Sequence, residues 1–139
     1  MRRLSDIVLN QDPLTLPVST TVVAACQQMR DRRLGSVLVT GQDGSLFGIF
    51  TGRDAVGRVI AAGKNGTTTT LGEVMTPDPD TMPPEATALD ALRLMWDGGF
   101  RHVPVIKDGR IVGIVSRGDF KDTERERLDE ERELWEHMR

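Results

Sequence analysis

The segment DPLTLPVSTTVVAACQQM, Asp12 to Met29, recurs as DPDTMPPEATALDALRLM, Asp78 to Met95, at a constant offset of 66. Asp, Pro, Thr, Pro, Thr, Ala and Met hold their places in both copies. The register continues through Ser36–Val39 over His102–Val105. After one deletion, DGSLFGIFTGRD (Asp43 to Asp54) lies over DGRIVGIVSRGD (Asp108 to Asp119) at offset 65. Such a chain is two copies of one unit of roughly fifty residues. A unit that small has little core of its own, so the two are expected to pack through their sheets.

Each copy parses alike. A short extended segment, Leu14–Leu16 or Asp80–Met82, is bounded by prolines that disfavour helix. Apolar Val22, Val23, Cys26 and Met29, and Leu89, Leu92 and Trp96, then recur at helical spacing. Thr20 or Thr21 and, in the second copy, Thr87 stand where N-caps belong. Two β-branched runs follow, Val37–Val39 with Leu46–Phe50 and Val103–Ile106 with Ile111–Val115. Asp-Gly between such runs predicts a hairpin. A last helix is expected to start at the repeated Ser/Thr-x-x-Asp, with Val56, Val59 and Ile60 forming its apolar side in the first copy. The predicted unit is β-α-β-β-α and the fold class α/β (α+β). The bounds are 1–63 for the first repeat, 64–70 for a Gly/Thr linker, 71–121 for the second repeat and 122–139 for a charged helix.

Composition removes several functions. With 38% hydrophobic and 28% charged residues the chain is globular, and no apolar run approaches the roughly 20 residues that span a bilayer. MRRLSDIVLN has two arginines but no apolar core of a secretory signal. A single cysteine, Cys26, fits a reducing cytoplasm. Glu124 to Arg139 hold seven acids and four arginines, and the remainder is charge-neutral. Without a basic stripe, no nucleic-acid partner is expected. Gly63-Lys64 is no P-loop, because Arg58 stands where the first glycine belongs and Asn65 follows the lysine. No His/Cys/Asp cluster has metal-ligand spacing, and Cys26 falls on an apolar helix side, so neither metal nor catalytic residue is assigned.

The Ser/Thr-x-x-Asp phrase carries the chemistry. Thr51 and Ser116 end strands, so their hydroxyls and the next backbone N–H groups gather where an anion can sit. Asp54 and Asp119, three residues on, are acceptors able to grip both hydroxyls of a ribose cis-diol. The same residues also make an ordinary capping box, with Asp bonded back to free N–H groups. Residue chemistry alone leaves both readings open. The Arg117-Gly118-Asp119 triplet is not an adhesion signal, since its arginine and glycine do not hold their places in the first copy.

These residues resemble a tandem pair of CBS (cystathionine-β-synthase-type) domains, often called a Bateman module, over about Leu4 to Lys121. The resemblance rests on GIFTGRD and GIVSRGD, supported by LGEVMTPDP (Leu71 to Pro79) and FRHVPVI (Phe100 to Ile106). It implies two repeats packed with pseudo-twofold symmetry and an adenosine-containing ligand in the cleft between them. AMP, ADP or ATP comes first, with NAD(H) and S-adenosylmethionine as alternatives, and no cofactor is required. It carries ribose and phosphate contacts onto Thr51, Asp54, Ser116 and Asp119. Thr15, Thr76 and Thr81 resemble cleft-lining positions, Val103 and Pro104 the edge that reads the adenine, and Arg101 and His102 a phosphate-facing pair. Arg53 in the first copy is read either as a phosphate contact or as a solvated surface charge. Asn10, Val37–Val39, Gly35 and Ser36 are the counterparts, so the two clefts are expected to differ.

The tail DTERERLDEERELWEHMR is expected to extend the last helix of the second repeat. Its opposite charges pair at i,i+4 (Arg125/Asp129, Arg127/Glu131, Arg132/Glu136). A sparse stripe of Phe120, Leu128, Leu134, Trp135 and Met138 packs either on its own module or on a partner subunit. The expectation is a non-catalytic, homodimeric regulatory sensor in the cytoplasm. The alternative is a dimerisation scaffold with vestigial clefts, acting through its tail on another protein.

Overall fold

The computed structural model describes residues 1–138, which gather into two compact bodies. One, here the N-body, comprises Asp12–Asp80 with Asp108–Ile111. The other, the C-body, comprises Met1–Gln11, Thr81–Lys107 and Val112 onward. The bodies cross the repeat bounds read from sequence. Leu71–Pro77, at the start of the second repeat, belongs to the N-body, and Met1–Gln11 belongs to the C-body.

In the N-body four strands run in the order β1 (Thr15–Pro17), β2 (Ser36–Thr40), β3 (Leu46–Thr51) and β4 (Thr76–Pro77). β1 lies parallel to β2, and the other pairs are antiparallel. Helix α2 (Val22–Arg32) starts at Thr21, whose Oγ1 accepts from the Ala24 N–H at 3.2 Å. The Gly/Thr segment between the repeats is docked here. Val22 and Val23 N–H donate to the carbonyls of Thr69 and Gly66 at 2.9 and 3.0 Å, satisfying donors that a helix start leaves free. Alternation along the strands sends Val37, Val39 and Phe50 into one core with Val22, Ala25, Met29, Val59, Leu71 and Val74. Leu71 and Val74 come from α4 (Leu71–Val74), which leads into β4.

β5 (His102–Lys107) and β6 (Arg110–Ser116) form the second hairpin, which belongs to the C-body apart from Asp108–Ile111. Asp108 and Gly109 have φ of 51° and 75°, as a two-residue turn of this kind requires. Helix α5 (Ala88–Gly98) opens on a Thr87/Asp90 capping box and buries Ala88, Leu89, Ala91, Leu92 and Met95. The first leader helix, α1 (Leu4–Ile7), docks Leu4 into that core, as Leu71 docks in the N-body. Gln11 replaces a strand here. Its amide donates to the Ile114 carbonyl at 2.8 Å and accepts from the Ile114 N–H at 2.7 Å.

The repeated glycines exist for these leaders. A Cβ on Gly48 would meet the Thr76 carbonyl oxygen at 2.7 Å, and one on Gly113 would meet Val8 Cβ at 2.6 Å. Each leader crosses its hairpin where only a hydrogen leaves room.

The last segment differs from its sequence expectation. After the first motif, α3 (Gly52–Asp54) runs on as a π-helical segment, Ala55–Ile60, with Val59 buried and Val56 and Ile60 exposed. After the second, one 3-10 turn (Arg117–Asp119) ends at Phe120, whose ψ of 147° breaks the helix. Helix α6 (Asp122–His137) starts afresh, with the Glu124 carboxylate accepting the Lys121 N–H at 2.8 Å. The tail is therefore not an extension of the motif helix. Its i,i+4 pairs do not close among the described residues, because Glu131 is held by Arg93 of α5 at 2.5 Å and Arg132 lies 4.0 Å from the Trp96 ring centre. Phe120 and Leu128 are buried in the C-body core, whereas Leu134, Trp135 and Met138 are exposed.

Candidate functional site

In the N-body, strand register assembles the first group of candidates. Thr15 pairs with Leu38, Leu38 with Ile49, and Ile49 with Thr76. These four residues therefore form one row across the sheet, on the face opposite Val37, Val39 and Phe50. The row is apolar at its centre and carries a hydroxyl at each end. β3 then ends at Thr51, and the chain turns so that Asp54 folds back on it. Asp54 Oδ2 accepts the Thr51 N–H at 2.9 Å and its hydroxyl at 3.2 Å. The Asp54 N–H lies 3.4 Å from Thr51 Oγ1. The capping box is thus present, and it fixes the carboxylate rather than consuming it.

The other oxygen, Oδ1, accepts the Thr76 hydroxyl at 3.4 Å and stands 3.5 Å from Arg58 Nε. Arg58 Nη1 donates to the Met75 carbonyl at 2.9 Å. Asp54 is only 9% exposed, so an uncompensated charge there would be costly, and Arg58 supplies the compensation. The sequence signal for this role of Arg58 is its i+4 spacing from Asp54 on a helix. Arg53 is exposed and makes no ion pair among the described residues.

In the C-body the same phrase gives a more open arrangement. Asp119 Oδ2 accepts the Ser116 N–H at 2.7 Å and its hydroxyl at 3.1 Å, and Asp119 is exposed. Arg2 anchors the turn, donating to the Asp119 carbonyl at 2.9 Å while pairing with Glu124 at 2.6 Å. The Arg117 N–H donates to the Arg101 carbonyl at 3.0 Å, as Gly52 does to Gly35 at 3.3 Å in the N-body. That bond sets the start of β5 beside the motif. Val103 and Pro104 are buried, with the Pro104 carbonyl accepting from the Met82 N–H at 3.1 Å, and Thr81 is exposed just before it.

His102 is half-buried, and burial pushes its imidazole below the usual range. Asp119 opposes that shift and Arg101 adds to it. Near neutral pH, His102 is accordingly a neutral hydrogen-bonding group, and Arg101 carries the charge of the pair. As pH falls below about 6.5, the unfolded chain protonates His102 before the folded protein does. Stability from this group is therefore present above that pH and is lost on acidification until the folded imidazole also titrates. The melting temperature should fall between pH 7.5 and 5.5, and His102→Gln should flatten that fall; parallel profiles would contradict the assignment.

Two concavities are not lined by Thr51, Asp54, Ser116 or Asp119. One of about 410 Å³ in the N-body is lined by Val23, Cys26, Arg30, Ile60 and Lys64, among others. Another of about 450 Å³ in the C-body lies among Trp96, Leu128, Arg132 and Trp135. Burial pushes the Cys26 thiol up, which suits packing rather than nucleophilic use. Among the described residues no helix is long and apolar enough to cross a membrane, and no three His, Cys, Asp or Glu side chains cluster to hold a metal ion.

Comparison with known proteins matches the CBS domain family model twice, at residues 4–61 and 71–125. CBS domain-containing protein CBSCBSPB3 of Arabidopsis thaliana is 39% identical over 102 residues, covering 73% of this chain and 18% of the relative. The chain thus spans about a fifth of that relative's length. A CBS-domain protein from Agrobacterium tumefaciens is 31% identical, with a TM-score of 0.78 over 84% of this chain and 94% of the other. A CBS domain protein from Pyrobaculum aerophilum, complexed with AMP, has a TM-score of 0.81 over 91% of this chain and 98% of its own, at 23% identity.

Proposed function

The chain belongs to the CBS domain family, and from that premise we propose that it binds an adenosine-containing ligand, AMP, ADP or ATP first, through Asp54 and Asp119. The observation that carries this reading is the duplicated geometry of the motif. In both bodies one carboxylate oxygen is fixed by its own strand-end N–H and hydroxyl, which orients the acid without a ligand. An acceptor held in advance loses little entropy on gripping a diol. Thr76 supplies a hydroxyl beside Asp54, whereas Thr15 stands at the far end of the same row, with Leu38 and Ile49 buried between them. Arg101 and neutral His102 supply a phosphate contact beside Asp119. The AMP bound by the Pyrobaculum protein supports the ligand class through likeness of fold. The module is regulatory and non-catalytic, acts in the cytoplasm and works as a homodimer.

The exposed Leu134, Trp135 and Met138 favour a second reading, a scaffold that meets another protein through its tail. Thermal denaturation and calorimetry against AMP, ADP, ATP, NAD(H) and S-adenosylmethionine separate the two. A ligand at a hundred times its dissociation constant stabilises the fold by about 2.7 kcal/mol. If no member of the panel moves the transition at millimolar concentration, the scaffold reading replaces the sensor.

A further inference from the structure

Asp54 and Asp119 use one carboxylate oxygen alike and the other differently. Oδ2 of each is held by its own strand end. Oδ1 of Asp54 already has two neighbours, the Thr76 hydroxyl at 3.4 Å and Arg58 Nε at 3.5 Å. Asp119 has no second side-chain partner of this kind among the described residues, and four places on stands Thr123 rather than an arginine.

We infer that Arg58 selects phosphorylated ligands at the Asp54 site. The inference rests on the ribose reading above. A cis-diol that takes Asp54 Oδ1 must displace the Thr76 hydroxyl and draw the carboxylate away from Arg58. A nucleoside leaves the guanidinium without its anion, whereas a nucleotide brings a replacement in its phosphate. The Arg58 side chain is 49% exposed, which leaves it room to turn. Its bond to the Met75 carbonyl tethers it to the leader, so the freed charge stays beside the site. Arg58 is thus the ion-pair partner of Asp54 in this structure and the phosphate partner when a nucleotide binds. Exchanging one anion for another makes nucleotide binding easier than nucleoside binding.

The test uses the full chain carrying Asp119→Asn, which confines ribose binding to Asp54. Calorimetry gives the dissociation constants of AMP and adenosine with Arg58 intact, with Arg58→Gln and with Arg58→Lys. With Arg58 intact, AMP is expected to bind at least about tenfold more tightly than adenosine, the scale of one charge-assisted bond. Arg58→Gln should reduce that ratio by about tenfold, and Arg58→Lys should keep most of it. Equal losses for both ligands would mean that Arg58 only props the leader, and the inference fails. An unchanged ratio also overturns it. If wild-type protein binds AMP but the Asp119→Asn protein binds neither ligand, the Asp54 site and this inference fail while the Asp119 site stands. If wild-type protein binds neither, the ribose reading itself is wrong and takes this inference with it.

Discussion

Gly48→Val is expected to destabilise the fold by about 3 kcal/mol and to weaken nucleotide binding at the same time. Overpacking a filled site costs roughly 1–3 kcal/mol, and each lost hydrogen bond adds about 1 kcal/mol. Even the first added carbon would lie 2.7 Å from the Thr76 carbonyl oxygen, a backbone atom that cannot swing aside. Relief requires β4 to leave β3, where Gly48 pairs with Pro77 and Ile49 with Thr76. Its departure also removes the Thr76 and Arg58 contacts that surround Asp54. Gly113→Val should do the same in the C-body by displacing Val8 and breaking the two Gln11 bonds to Ile114. Gly118→Ala is the internal comparison. Nothing lies within 4 Å of the added carbon there, so stability should stay within about 0.5 kcal/mol. Denaturant midpoints of the three variants, with AMP affinity measured alongside, check the ordering. Equal midpoints for Gly48→Val and Gly118→Ala would refute the close-approach explanation.

Asp54→Ala and Asp119→Ala should each cost about tenfold or more in affinity at their own site, since a charge-assisted bond is worth roughly 1.5–3 kcal/mol. Both variants also lose a cap, worth about 1 kcal/mol of stability. Asp54→Ala should lose more, because Asp54 is buried and its second oxygen also holds the Thr76 hydroxyl, whereas Asp119 is exposed. The capping contribution can be separated, because the chain holds a third box of similar geometry with no assigned ligand role. Asp90 accepts the Thr87 N–H at 3.1 Å and its own N–H donates to the Thr87 hydroxyl at 3.1 Å. The Thr87 N–H and hydroxyl hold the Asp90 carboxyl below the usual range. Asp90→Ala should therefore lower stability and leave AMP affinity unchanged. If Asp54→Ala and Asp119→Ala behave as Asp90→Ala does, both motif carboxylates are caps and nothing more.

Local structure was legible in the sequence because local chemistry decides it. Asp108-Gly109 demanded a positive-φ turn, Thr21 and Thr87 stood before apolar helical runs, and duplication gave the second copy from the first. The destination of the leaders was not legible. β4 is two residues long, too short for any propensity signal, and its pairing with β3 closes a loop from Thr51 to Thr76. Gln11 does the work of a strand through its side chain, which no pattern of alternation can report. The tail misled for a related reason. Its charges suit i,i+4 pairs, yet Arg93 from another helix competes for Glu131 and wins. In the site, Thr51, Asp54, Ser116 and Asp119 were readable because they recur. Arg58 does not recur, and only the bend of the leader over the motif gives it Met75 and Asp54 together.

The most direct test of the central claim is calorimetric titration of AMP into wild-type protein and into the double variant Asp54→Ala, Asp119→Ala, after both are shown to be folded. Wild type should bind with measurable heat, and the double variant should lose binding by at least about tenfold at every site. Equal affinity and stoichiometry in the two proteins would contradict the assignment of these carboxylates to a ribose.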